Sequence, residues 1–79
     1  MSRNTVYQEN GITIVVGVDH ALGKFLQLFD KKMEDETPEG EGLVLDWSEF
    51  LGVEANYTGI SDKETPVEQI VLKYVEEHK

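Results

Sequence analysis

The sequence predicts an α+β domain: a twisted antiparallel sheet of three or four strands packed against one C-terminal amphipathic helix. Three observations lead to this prediction. An Asn10-Gly11 pair separates two β-rich segments, an apolar segment of strand length follows at 25–29, and an amphipathic pattern with N-terminal capping residues occupies 65–78. The chain has 79 residues, which is the size of one small domain, so 1–79 is predicted to fold as a single unit.

The N-terminal hairpin is predicted from its turn. Asn-Gly is the dipeptide best suited to the two positive φ angles of a type I′ turn, and it joins 5–9 to 12–18. A two-residue loop sets the register, and the expected partners are Glu9 with Ile12, Tyr7 with Ile14, and Thr5 with Val16. One face then collects Tyr7, Ile12, Ile14, Val16 and Val18. The opposite face is mixed and able to meet water; it carries Val6, Gln8, Thr13, Val15 and Gly17.

Segment 19–33 fits two interpretations. As a helix, it would be capped by Asp19 and would place apolar residues at helical spacing from Leu22 to Met33. As a strand, it would be a third antiparallel partner, reached through a five-residue connection. Gly23 costs a helix interior about 1 kcal/mol relative to Ala, and a two-stranded ribbon alone is marginal in water. The strand is therefore the favoured interpretation.

The middle of the chain is predicted to begin with a flexible acidic loop at about 31–42, which holds a proline, two glycines and five acids. A short strand is expected at 43–47. A capping-box pattern at 46–49 predicts one helical turn that ends at Gly52. Segment 53–62 lacks a firm period and is expected to be irregular, with a brief strand around 53–57.

The C-terminal helix has the clearest pattern. Thr65 is a suitable N-cap, Pro66 suits the first helical position, and Glu68 can reach back to the cap. An apolar stripe follows at Val67, Ile70, Val71, Tyr74 and Val75. A helix this short does not hold in isolation, so the stripe is expected to pack on the apolar face of the sheet.

The net charge is concentrated in the middle third. The chain has 16 acids and 7 bases, for a net charge of −9. Segment 33–64 contains ten of those acids and one base, so it carries 1 − 10 = −9 by itself. Such a surface repels nucleic acid and anionic lipid, so neither is an expected partner. The chain has no cysteine and no run long enough for a membrane span, which predicts a cytoplasmic protein.

No residue pattern predicts catalysis or a cofactor. His20 and His78 have no partners at a spacing typical of a catalytic or metal site, and no glycine pattern fits a phosphate-binding loop. An EF-hand-like comparison starting at Asp35 fails because Pro38 and Gly42 fall at unsuitable positions. The protein is therefore expected not to be an enzyme and to carry no metal or cofactor.

The remaining function class is protein interaction. We expect a small acidic adaptor or regulator, with a homodimer as one way to enlarge a small core. The alternative is an acidic mimic of nucleic acid, of the anti-restriction or anti-CRISPR type, that occupies a basic groove. Trp47 and Phe50 are expected in the core. Of the three aromatic residues, Tyr57 is the better candidate for exposure, because it lies in an irregular segment. The candidate partner-binding residues are Glu34, Asp35, Glu36, Glu39, Glu41, Asp46, Glu49, Glu54 and Tyr57.

Overall fold

The computed structural model describes residues 2–37, 40–60 and 66–78. Within these residues the chain forms one five-stranded antiparallel sheet, in sequential order, and one α-helix. The elements are β1 (Ser2–Glu9), β2 (Ile12–Asp19), β3 (Gly23–Asp30), a 3-10 helix (Lys31–Glu36), β4 (Leu43–Ser48), β5 (Gly52–Asn56) and α1 (Val67–Glu77). The α+β class is confirmed, and the sheet has five strands where the sequence predicted three or four.

The fifth strand arises at the segment where the sequence pattern was weakest. Asp46, Trp47 and Ser48 belong to β4, and residues 49–51 form a turn, so the capping box at 46–49 and the helical turn expected before Gly52 are wrong. Gly52 adopts a φ of +73°, which lets the chain reverse after β4 and pair Ser48 with Gly52. Strand β5 agrees with the brief strand expected around 53–57. A bulge between β4 and β5 breaks its alternation, which explains why the segment lacks a firm period.

The N-terminal hairpin forms as predicted near its turn and differs farther from it. Asn10 and Gly11 have φ values of 55° and 80°, as a type I′ turn requires. The pairs Glu9–Ile12 and Tyr7–Ile14 are confirmed. Thr5, however, lies opposite Val15 because the register shifts between Thr5 and Tyr7. This bulge transfers Thr5 to the sheet face opposite the one that the sequence predicted.

Segment 23–30 is a strand, which confirms the favoured interpretation of 19–33. Gly17 lies between Arg3 on β1 and Phe25 on β3. A Cβ atom at Gly17 would overlap the Ser2 carbonyl oxygen and come within 2.6 Å of the Phe25 ring. The absence of a side chain here therefore allows close approach of β1 and burial of Phe25.

The main core lies between α1 and one face of the sheet. Its buried residues are Ile12, Ile14, Leu28, Val44, Leu45, Val67, Ile70, Val71 and Tyr74. The predicted apolar stripe of the helix is thus confirmed at its four buried positions. The helix begins at Val67, and the predicted N-cap Thr65 lies outside the described residues. In the described part of the chain, no helix is long and apolar enough to cross a membrane.

A buried carboxylate connects the helix to the end of the sheet. Asp30, only 1% exposed, ends β3 and caps the 3-10 helix by accepting a hydrogen bond from the Lys32 N–H. Its other oxygen accepts a 2.5 Å hydrogen bond from the Tyr74 hydroxyl. Burial and this hydrogen bond raise the pKa of Tyr74 above its ordinary value of 10.0, so the phenol stays protonated at neutral pH.

The acidic loop predicted at 31–42 begins with a regular element. Lys31–Glu36 forms the 3-10 helix, where the sequence predicted a loop. The side chain of Thr37 is buried and accepts a hydrogen bond from the Gly42 N–H. Pro38 and Glu39 lie outside the described residues. The flexibility predicted for 31–42 stays a prediction, as does the homodimer.

Replacing Tyr74 with Phe tests the buried hydrogen bond. We expect Tyr74→Phe to lower the free energy of unfolding by about 1.5–3 kcal/mol, because a hydrogen bond to a charged group is lost inside the protein. Urea unfolding followed by circular dichroism measures the change. Tyr57→Phe, at a half-exposed tyrosine, is the matched control and should change the value by less than about 0.5 kcal/mol. Equal effects of the two variants would contradict this role for Tyr74.

Gly17→Ala tests the close approach of β1 to β2. The added methyl group must displace the Ser2 carbonyl or the Phe25 ring, so we expect a loss of about 1–3 kcal/mol in unfolding free energy. Thr13→Ala on the same strand adds no atoms and serves as the control. Thermal unfolding of both variants gives the comparison, and a fully stable Gly17→Ala protein would show that the strands separate without cost.

Candidate functional site

The face of the sheet opposite α1 is not covered by any described helix or strand. We call it the open face. One continuous row of cross-strand neighbours crosses all five strands on this face: Thr5, Val15, Gln27, Asp46 and Ala55. Cross-strand neighbours point to the same side of a sheet, so these side chains form one surface. Val15 and Phe25 are buried on this side without belonging to the main core.

An arginine reaches across this face. The Arg3 guanidinium on β1 donates a 2.7 Å hydrogen bond to Gln27 Oε1 on β3. Gly17 is the β2 neighbour of Arg3 and has no side chain to obstruct this path. Gln27 is the next neighbour of Asp46, so a cationic, an amide and an anionic side chain follow one another across the sheet.

Three cavities lie along the open face. The largest, about 560 Å³, extends from Thr5 and Thr13 past Phe29 to the 3-10 helix and Glu41. A second, about 350 Å³, is lined by Gln27, Thr37, Glu41, Leu43, Asp46, Ala55 and Tyr57. We call the second one the acidic cavity, because its two charged lining side chains are both carboxylates. The first two cavities share Glu41, and a smaller third cavity shares Gln27 and Asp46 with the acidic cavity.

Asp46 is the most perturbed carboxylate of this surface. Partial burial and the nearby negative charge of Glu54 both raise its pKa above the ordinary value of 3.8. Glu54 comes close because the bulge between β4 and β5 lies beside Asp46. A raised pKa means that the charged form of Asp46 is disfavoured in the folded protein. Its contribution to stability is therefore greatest below pH 3.8 and is lost as the pH rises through the folded pKa.

The predicted partner-binding residues are divided among several places. Glu41, Asp46 and Tyr57 come together in the acidic cavity, and Glu54 lies next to Asp46. Glu34, Asp35 and Glu36 are exposed on the 3-10 helix, and Glu34 also lines the largest cavity. Glu49 follows the other end of β4, away from Glu41. Glu39 lies outside the described residues.

The exposure of the aromatic residues in segment 33–64 differs partly from the prediction. Tyr57, the candidate for exposure, is 44% exposed. Trp47 packs against the main core. Phe50 was expected in the core, but this is wrong: it is 65% exposed at the turn between β4 and β5. A hairpin tip projects beyond the sheet, so its residues have no facing layer to pack against.

Several residues of the open face were missed by sequence reasoning. Arg3, Gln27 and Thr37 carry no recognisable motif. Gln27 did give a signal, because it is the one polar residue at the centre of the otherwise apolar segment 25–29. Its position predicts a strand whose second face is not fully buried.

The two histidines occupy ordinary positions. His20 is exposed in the turn after β2. The His78 ring stacks on Tyr74 with ring centres 4.0 Å apart, and its Nδ1 lies 2.8 Å from the Tyr74 carbonyl oxygen. Considering only the described residues, no group of three or more His, Asp and Glu side chains is arranged to hold a metal ion.

Removing the charge of Glu54 tests the electrostatics of the open face. In Glu54→Gln the pKa of Asp46 should fall toward 3.8, since one of the two causes of its increase is removed. Carboxyl chemical shifts followed by NMR through an acid titration measure this pKa directly. Glu49→Gln, at the far end of β4, should leave it unchanged. If both variants shift the titration equally, the effect comes from net charge and not from this pair.

Comparison of the chain with protein-family models, with curated proteins and with solved structures found no match.

Proposed function

We propose that this chain is a small non-enzymatic module that binds another protein through its open face. The observation that carries the proposal is the continuous row from Thr5 to Ala55, which lies beside cavities that adjoin one another across the sheet. A surface of this extent suits an extended segment or a protein surface better than one small molecule.

The composition of the open face supports a protein partner. Apolar side chains such as Val15 and Phe29 alternate with the polar Thr13 and Gln27. Protein interfaces have this mixture of apolar contact area and hydrogen-bonding groups. The side chains are carried by paired strands, so the backbone of this surface is already ordered before a partner binds.

Charge indicates what kind of partner is favoured. The chain carries −9 overall. Five carboxylates and two bases line the cavities of the open face: Glu9, Asp19, Glu34, Glu41 and Asp46, against Arg3 and Lys31. Opposite charge accelerates encounter and disfavours wrong partners, so a partner with a basic surface is expected.

Blocking the open face tests this function. Tagged wild-type protein and variants are used to capture proteins from lysate, with mass-spectrometric identification. Thr13→Arg and Ala55→Arg place a long side chain on the open face, whereas Gln69→Arg adds the same charge on the exposed side of α1. We expect proteins that are retained by wild type and by Gln69→Arg to be lost from both open-face variants.

The folded state of each variant is checked by circular dichroism before capture. Equal capture by Thr13→Arg, Ala55→Arg and wild type would contradict the proposal, because binding would then use another surface. The same conclusion would follow if every protein retained by wild type were also retained by Ala55→Arg.

Nucleic-acid mimicry is the alternative function. It is favoured by one observation, the three consecutive exposed acids Glu34, Asp35 and Glu36 on the 3-10 helix. The same capture experiment separates the two functions. If the chain is a mimic, wild type should capture a basic nucleic-acid-binding protein. The variant with these three acids neutralised should fail to capture it, whereas Thr13→Arg should still capture it.

A further inference from the structure

We propose that the acidic cavity binds the cationic end of a lysine or arginine side chain supplied by the partner. This inference rests on the proposed function, because it identifies the chemistry of one subsite on the open face. It is carried by the lining of the cavity: two carboxylates, an aromatic ring, an amide and aliphatic walls.

The charged part of the lining selects a cation. Glu41 and Asp46 are the two charged residues that line the cavity. Glu54 adds a third negative charge near Asp46. The Arg3 guanidinium is held on Gln27 Oε1 and lines the adjoining third cavity with Asp46, but it does not line this one. An anionic or neutral polar ligand would meet repulsion or gain little here, whereas an ammonium or guanidinium group would meet opposite charge.

The remaining lining suits the aliphatic stem of such a side chain. Leu43 and Ala55 provide apolar walls, and Tyr57 also lines the cavity, where a tyrosine ring can contribute a cation–π contact. The Tyr57 N–H donates a 2.6 Å hydrogen bond to the Val44 carbonyl, which anchors the Tyr57 backbone to β4. A volume of about 350 Å³ lies at the lower end of the range for ligand sites, so it suits one side chain better than a large cofactor.

The state of Asp46 agrees with this assignment. Burial and Glu54 raise its pKa, so the carboxylate lacks favourable compensation for the water it has lost. A bound cation would supply that compensation. This is the arrangement expected of a charged group that serves binding at a cost in stability.

Short peptides test the assignment without a known partner. Acetyl-Gly-Lys-Gly-amide, its arginine counterpart and its norleucine counterpart are titrated into isotope-labelled protein and followed by NMR. Norleucine keeps the four-carbon stem and lacks the ammonium group. We expect saturable shifts at the amides of Asp46, Ala55 and Tyr57 with the cationic peptides, and at least about tenfold weaker binding of the norleucine peptide. The stronger of the lysine and arginine peptides identifies which cation the cavity prefers.

Two variants locate the effect. Asp46→Asn keeps the shape of the side chain and should weaken the cationic peptides about tenfold, while Glu49→Gln removes the same charge at the far end of β4 and should not. Equal binding of norleucine and lysine peptides, equal effects of the two variants, absence of saturable shifts with both cationic peptides, or shifts confined to other residues would each overturn the inference.

Failure here is distinguishable from failure of the proposed function. If Thr13→Arg and Ala55→Arg abolish partner capture while the peptides show no preference for a cation, the open face binds a protein but the acidic cavity does not take a basic side chain. If capture is insensitive to both arginine variants, the broader proposal fails whatever the peptides do.

Discussion

The hydrogen bond between the Tyr74 hydroxyl and the buried Asp30 carboxylate is the contact that joins the parts of this molecule. Asp30 ends β3, caps the 3-10 helix and donates its N–H to the Gly42 carbonyl, so it also holds the start of β4. Tyr74 brings α1 to the same point. A carboxylate this deeply buried is tolerated only when donors satisfy it, and the helix supplies one of them. The position of α1 on the sheet is therefore set by polar pairing as well as by apolar contact.

That placement leaves the second face of the sheet for another use. One short helix covers one face of five strands, and the other face retains Gln27 and Asp46 beside Val15 and Phe25. A small domain buries little apolar surface, so each polar residue in the middle of a sheet face lowers an already small free energy of unfolding. Asp46 is an example, because burial and the negative charge of Glu54 disfavour its charged form. We interpret this imbalance as the result of selection for binding on the open face, in keeping with the function proposed above.

Sequence and structure assign different roles to the acidic residues. By sequence they form one charged segment, 33–64, and suggest one uniform surface. In the folded chain Glu41 and Asp46 line a cavity, Glu34–Glu36 lie on an exposed 3-10 helix, and Glu49 lies beyond the opposite end of β4. A net charge thus describes the attraction between molecules at long range, whereas the few carboxylates that lie beside an aromatic ring and apolar walls determine what can be bound at short range.

The sequence by itself determined the α+β class, the Asn10-Gly11 turn and the buried stripe of α1, and it favoured a strand over a helix at β3. Each of these depends on local chemistry: a turn that needs positive φ angles, or a period that matches one element. The sequence indicated a brief strand at 53–57 but did not determine how β5 pairs with β4, the exposure of Phe50 or the open-face position of Thr5. These depend on bulges and on which element lies opposite, and both are set by strand pairing between distant residues. The acidic cavity is of the second kind. Gln27, Asp46 and Tyr57 belong to β3, β4 and the segment after β5, and they meet Glu41 only because these strands pair side by side. Only the tertiary structure therefore decided where a ligand would meet them.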